Sequence, residues 1–342
     1  MNKNIIGNTG DDIMKEILKE KCDLLVANRN AIKGSFKFEY NVSCAIASLL
    51  CCSKDKKADT DKIKECKKII KNKTSMLSNF RGNIFFTTAT VLSLNDNPEK
   101  LMDDINDVYK MLKDKGFNGS EFLGLAAIII AQTLDQFEPE RIAGKAFKIY
   151  KSIKLKHKFL TSSDDYAFTV MLAMNDKTVE EIVEEAERCY LELKKDLLSG
   201  NAVQSLSHVL AMDEKNYEEK CHKVTMIYNK LRDKGYKFGK GSELVTLGVL
   251  EMIDCDIDEL VENIAETDEY IKKFTGFGMS IGKQQRLMYA STLAAYCYID
   301  SIKSIESDIV ISNSMINVLM TAQMAAISAG AAAAAAASSS AN

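Results

Sequence analysis

The feature that most constrains this chain is a unit of about 40 residues that recurs along it. Its clearest copy begins at Asn97-Pro98-Glu99-Lys100-Leu101. Asn97 can accept from the free N–H groups of a helix start, and Pro98 suits a first helical position, where no N–H is needed. Leu101, Ile105, Val108 and Leu112 then share one helical face, and Gly116 follows as a residue able to adopt the left-handed end position. Glu121 to Ala131 is apolar nearly all round, which predicts a second, buried helix. Cap residues Asp59, Asn97, Glu138, Thr178, Asn216 and Asp256 recur at intervals of 38, 41, 40, 38 and 40 residues. Glu181, Glu219 and Glu259 complete a capping-box pattern at three of them. Tyr109, Tyr150, Tyr190 and Tyr228 each lie twelve residues after a cap, and Pro98 and Pro139 occupy the same place in successive units. A lone helix pair cannot bury its apolar faces and must stack on neighbours. The pattern therefore predicts an all-α fold, an α-solenoid of stacked helix pairs with a period of about 40 residues.

Taken in order, the chain divides into an N-terminal helix and lead-in over 1–38 and a repeat region of about six units over 39–300. A C-terminal helix over 301–329 and an Ala/Ser-rich tail over 330–342 complete it. The lead-in helix is expected over Asp11 to Ala27, with a break around Gly34. Two prolines, no tryptophan and 46% hydrophobic residues suit an almost wholly helical chain. Met1 to Gly10 is polar and no long run of bulky apolar residues follows, so neither a secretory signal nor a membrane span is expected. Nine cysteines in that setting read as reduced thiols in a cytoplasmic protein. The net charge of −3 hides a gradient: residues 1–160 hold 28 Lys/Arg against 20 Asp/Glu, and residues 161–342 hold 17 against 28. Such a gradient is either a set of solvated helix faces or a means of self-association, the basic N-terminal half of one copy meeting the acidic C-terminal half of another.

The residues able to carry chemistry are few. His157 lies in an irregular stretch with Thr161, Ser162, Ser163, Asp164 and Asp165 close behind. Adjacent carboxylates with an imidazole can hold a divalent cation or work as acid and base, and Asp164 and Asp165 are the candidate metal ligands. The structural alternative is that Ser163 or Asp164 caps the helix expected at Tyr166. His208, inside an apolar helix, reads as a core histidine, and His222 as a packing or surface residue. Arg81, opening a buried helix in Phe80-Arg81-Gly82, can clamp a carboxylate or phosphate, or pair with an acid of the next unit. The cysteines lie mainly on apolar faces with no C-x-x-C, and no nucleotide-binding or nucleophile-elbow motif is present, so no cofactor is expected.

The segments Phe36-Lys37-Phe38-Glu39, Phe80-Arg81-Gly82 and His157…Leu160-Thr161…Asp164-Asp165-Tyr166 together resemble a family of Gram-positive bacterial proteins known only as a domain of unknown function. The resemblance covers most of residues 10–300, excludes the alanine tail, and implies no activity or cofactor. From the architecture, the first functional expectation is a scaffold that presents a long surface to a protein or peptide. The alternative is a metal-dependent enzyme or small-ligand binder using His157, Asp164, Asp165 and Arg81. At about 10 Å per helix layer, those two loops lie on one edge but about 20 Å apart. A nucleic-acid role is disfavoured by the acidic net charge and the absence of interleaved aromatic and basic residues.

Overall fold

The computed structural model describes residues 8–197, 200–278 and 280–305. Among the described residues every regular element is helical: fourteen α-helices and three 3₁₀ turns, with no strand. They form seven consecutive pairs: α1 (Asn8–Ser35) with α2 (Asn41–Cys52), α3 (Thr60–Lys73) with α4 (Phe85–Ser93), and α5 (Pro98–Lys115) with α6 (Glu121–Ala131). Next come α7 (Pro139–Lys156) with α8 (Tyr166–Ala173), α9 (Val179–Leu193) with α10 (Gly200–Leu210), α11 (Tyr217–Asp233) with α12 (Thr246–Glu251), and α13 (Ile257–Ile271) with α14 (Lys283–Ile305). The expected helix through Ile316, Met320 and Met324 and the tail from Gly330 lie outside the described residues.

All six cap residues stand at the starts they were expected to mark, each side chain accepting from a first-turn backbone N–H. The reciprocal capping box forms at Thr178 and Glu181. Asn216 instead caps the N–H of Glu218, one residue earlier than that motif needs. Gly116 ends α5 at φ 111°, a conformation that a side chain would strain. One expectation is corrected: Gly34 does not break the first helix, which runs to Ser35, because Ile32 is fully buried and holds that last turn on the core.

Burial sorts the helices into two layers. In α2, α4, α6, α8, α10 and α12 nearly every residue is buried, on all faces. Odd-numbered helices from α3 onward bury one stripe, such as Ile63, Cys66 and Ile70 in α3, and turn lysines and acids outward. The even helices are the inner layer and the odd ones the outer. Because pairs are antiparallel, all odd-to-even loops gather at one edge, tied by Asn83 N–H to Glu121 Oε1 (2.7 Å) and Asn201 Nδ2 to Asp164 Oδ2 (3.3 Å). The even-to-odd loops gather at the other, tied by Lys62 Nζ to Asn95 O (2.8 Å) and Lys177 Nζ to Asp213 O (3.2 Å).

The curvature, which spacing left open, brings α1 back against both α13 and α14. Tyr270 OH donates to Asp23 Oδ1 at 2.6 Å, across 247 residues of sequence, and Lys21 Nζ meets Asp300 Oδ2 at 2.7 Å. Lys21 with Asp300 thus pairs a base of the first helix with an acid of the last inside the molecule. Gly276 permits the closure: at φ 99° a Cβ there would lie 2.1 Å from the guanidinium of buried Arg29 on α1. Gly276→Ala should cost about 1–3 kcal/mol through strain and displaced packing. The check is a lower urea midpoint at unchanged slope; an unaltered midpoint would mean the seam contributes nothing to stability.

Candidate functional site

His157 terminates α7, its N–H bonded to Ile153 O, and its ring is fixed from two sides. Nε2 lies 2.7 Å from Glu187 Oε2 on α9, and Tyr190 packs edge-on at 4.6 Å. Tyr109 meets Phe80 edge-on and Tyr150 meets Phe117 at a tilt, so His157 stands where neighbouring pairs place a phenyl ring. Asp164 and Asp165 part company. Asp164 accepts from Ser162 Oγ and Asn201 Nδ2 near the surface. Asp165 turns inward, 1% exposed, and accepts from Ser162 N–H at 3.0 Å, bracing the 3₁₀ turn Ser163–Asp165 that leads into α8.

Inside, Asp165 Oδ1 faces Nδ1 of fully buried His208 at 3.5 Å, too long for a hydrogen bond. That nitrogen has no other partner. Gln204, one turn earlier on α10, donates Nε2 to Thr161 Oγ1 at 2.8 Å while its carbonyl oxygen is unpartnered. Burial, reinforced by the Asp164 charge, pushes the Asp165 carboxyl up to about 8. Burial, with His157 nearby, pushes His208 down to about 3. At neutral pH this is a protonated acid beside a neutral imidazole. The space beside them, lined by His157, Glu187, Gln204 and His208, is about 10 Å³, room for about one water.

Arg81 lies in the 3₁₀ turn Asn79–Arg81, and its donors are used locally. Nε donates to Thr74 Oγ1 at 3.1 Å, and the guanidinium tip to the carbonyls of Lys71 and Thr74 at the end of α3. A cation there satisfies carbonyls that a helix end leaves free and complements its dipole. Its hydrogen bonds do not extend to His157, Asp164 or Asp165.

A larger space opens at the opposite edge. A cleft of about 500 Å³ lies where α2, α4 and α6 end and α5 begins. Leu50, Val91 and Ile129 contribute to its apolar floor, and Lys54, Asn95 and Gln132 to its rim. That volume is within the range of sites that hold small ligands or peptide segments. Among the described residues no group of three or more His, Cys, Asp and Glu is arranged to hold a metal. The nine cysteines are free thiols, eight of them buried.

The family described as "Protein of unknown function (DUF4003)" matches residues 28–325, which include both loops and the cleft. The chain belongs to this family. It is also similar to the "Uncharacterized protein YeaA" of Bacillus subtilis (strain 168), 27% identical over 209 residues. That match takes in 56% of this chain and 61% of the relative, so the chain spans less than two thirds of that protein's length. No solved structure matches.

In this DUF4003 chain the sequence reading picked out His157 and Asp165 but missed Glu187, Gln204 and the approach of His208 to Asp165. One signal was present: Gln204 and His208 stand four apart on a buried helix, which places both polar groups on one face. The partners on that face come from other pairs, and nothing in the spacing names them.

Proposed function

We propose that this chain is an interaction protein, built as an array of helix pairs with a period of about 40 residues and curved until its ends meet. It holds an extended segment of a partner protein in the cleft between α2, α4, α5 and α6. The observation that carries the reading is the size and lining of that cleft: about 500 Å³, an apolar floor, and amide, ammonium and carboxylate groups around it. An extended peptide supplies alternating side chains for such a floor and backbone groups for such a rim. The acid–imidazole cluster at His208, by contrast, has room for about one water and acts in this reading as a buried polar anchor between α8 and α10. A cytoplasmic location belongs to the same proposal. It is supported by nine free thiols, and among the described residues no helix is long and apolar enough to cross a membrane.

The test is selection of a random peptide library on the full chain. Selected peptides should lose about tenfold or more in affinity for Gln132→Trp, which crowds the cleft from its exposed rim, because displacing a central apolar contact costs at least about 1.4 kcal/mol. Asp165→Asn, at the other edge, should bind them as wild type does. Peptides that bind Gln132→Trp equally well, or a library that yields none, would refute the cleft as the site.

A further inference from the structure

The two edges of the ring carry opposite charge. The odd-to-even segments 33–40, 71–83, 113–120, 154–165, 194–201, 230–243 and 272–283 hold 20 Lys/Arg against 7 Asp/Glu. The even-to-odd segments 52–62, 94–104, 132–142, 174–184, 211–221 and 251–262 hold 9 against 24. Part of this is helix electrostatics, since acids favour the first turn and bases the last. Topology then adds the contributions, because every odd helix ends at the same edge. Of its charges, Glu39 pairs with Lys67 at 2.7 Å and Asp165 is buried, while Lys73, Lys115, Lys230 and Lys234 pair with acids of neighbouring helices.

Helix electrostatics does not account for what else stands on that edge. Of the eight large hydrophobic side chains exposed among the described residues, seven lie in its loops or in the last helical turn before them; Leu134 alone is at the other edge. The most exposed are Phe38 (103%), Phe159 (97%) and Leu77 (95%), with Leu155 and Met76 close behind. They occupy the loops of the first, second and fourth pairs, within the basic N-terminal half. Each is set beside cations: Phe38 follows Lys37, Leu155 sits between Lys154 and Lys156, and Phe159 follows Lys158. Met76 and Leu77 lie between Lys73, which is paired with Glu99 and Asp103, and Arg81, which is bonded to the carbonyls of Lys71 and Thr74.

We infer that this edge docks on the surface of an anionic lipid bilayer, the apolar tips entering the headgroup boundary while the surrounding lysines meet lipid phosphates. Charge complementarity selects an acidic surface. The form of the apolar groups selects lipid over a folded protein. They are single side chains on separate loops, each flanked by cations, which suits shallow insertion at many points rather than one shaped pocket. Binding of this kind needs both parts, since basic residues alone are screened by salt and a few apolar tips alone hold weakly. The acidic edge and its cleft then face away from the membrane.

The experiment is co-sedimentation of the full chain with vesicles of phosphatidylcholine alone and of an equal mixture with phosphatidylglycerol. Binding is expected to the mixed vesicles only, and should weaken as salt is raised. The triple variant Phe38→Ser/Leu77→Ser/Phe159→Ser should bind about tenfold or more weakly, because the inserted apolar area is lost. Its helical content and melting temperature should be unchanged, since those side chains already stand in water. Leu134→Ser, on the other edge, should bind as wild type does. Absence of binding to the anionic vesicles at low salt overturns the proposal, as does a triple variant that binds as tightly as wild type. Soluble polyglutamate bound as tightly as vesicles, by wild type and triple variant alike, also overturns it and points to an acidic protein partner. These outcomes are independent of the peptide test, which probes the other edge.

Discussion

Replacing Asp268 with alanine is expected to destabilise the fold by about 3–5 kcal/mol, because it strands a buried cation. Asp268 on α13 is 1% exposed and receives Arg286 of α14 through two parallel bonds, Nε to Oδ1 at 3.0 Å and Nη2 to Oδ2 at 2.9 Å. Burial raises the Asp268 carboxyl above its ordinary range, and the Arg286 guanidinium is what opposes that. With the carboxylate gone, Arg286 keeps one long contact, Nη1 to Phe277 O at 3.4 Å, at 6% exposure. The double variant Asp268→Leu/Arg286→Met should recover most of the loss, since desolvation then falls on neither group. Urea unfolding of the three proteins checks this. A double variant no better than Asp268→Ala would show that packing at the seam, rather than the stranded charge, sets the cost.

The second large effect is a fall in stability between about pH 6.5 and pH 8, traced to Asp165 and His208. In the folded chain burial holds Asp165 up to about 8 and His208 down to about 3, so between those values the pair keeps one proton, on the carboxyl. The unfolded chain loses its aspartate proton near pH 4 and its histidine proton near 6.5. From about pH 4 to 6.5 each state therefore holds one proton, and this pair contributes no pH dependence. Above 6.5 the unfolded state holds none while the folded state still holds one. Stability then drops until Asp165 ionises, by about 2 kcal/mol over that window at ~1.4 kcal/mol per pH unit. Asp165→Asn carries no titrating acid and should lose the fall. Denaturant midpoints at pH 6 and pH 8 for both proteins decide it, and equal slopes in the two would remove the pair from the explanation.

What sequence could determine here was whatever is written within a few residues. The starts of α3, α5, α7, α9, α11 and α13 follow from Asp59, Asn97, Glu138, Thr178, Asn216 and Asp256, because a cap satisfies N–H groups two or three positions away. The inner helices follow from runs such as Phe122 to Ala131, which have no polar face to offer water. The resemblance to the family likewise rested on short contiguous motifs. Gly34 misled because glycine weakens a helix by only about 1 kcal/mol, and burial of Ile32 outweighs it.

Tertiary structure decided everything that depends on residues far apart in sequence. Spacing leaves open whether the first helix meets the last; Asp23 and Tyr270 become neighbours only in the fold. The same holds for Asp165, whose titration is set first by exclusion of water, which only the packing around it imposes. Charge shows the difference most plainly. Along the sequence it reads as a basic half followed by an acidic half. In the fold, the outer helices run parallel to one another and deal their acidic starts and basic ends to opposite edges, so a polarity across the ring appears beside the gradient along the chain.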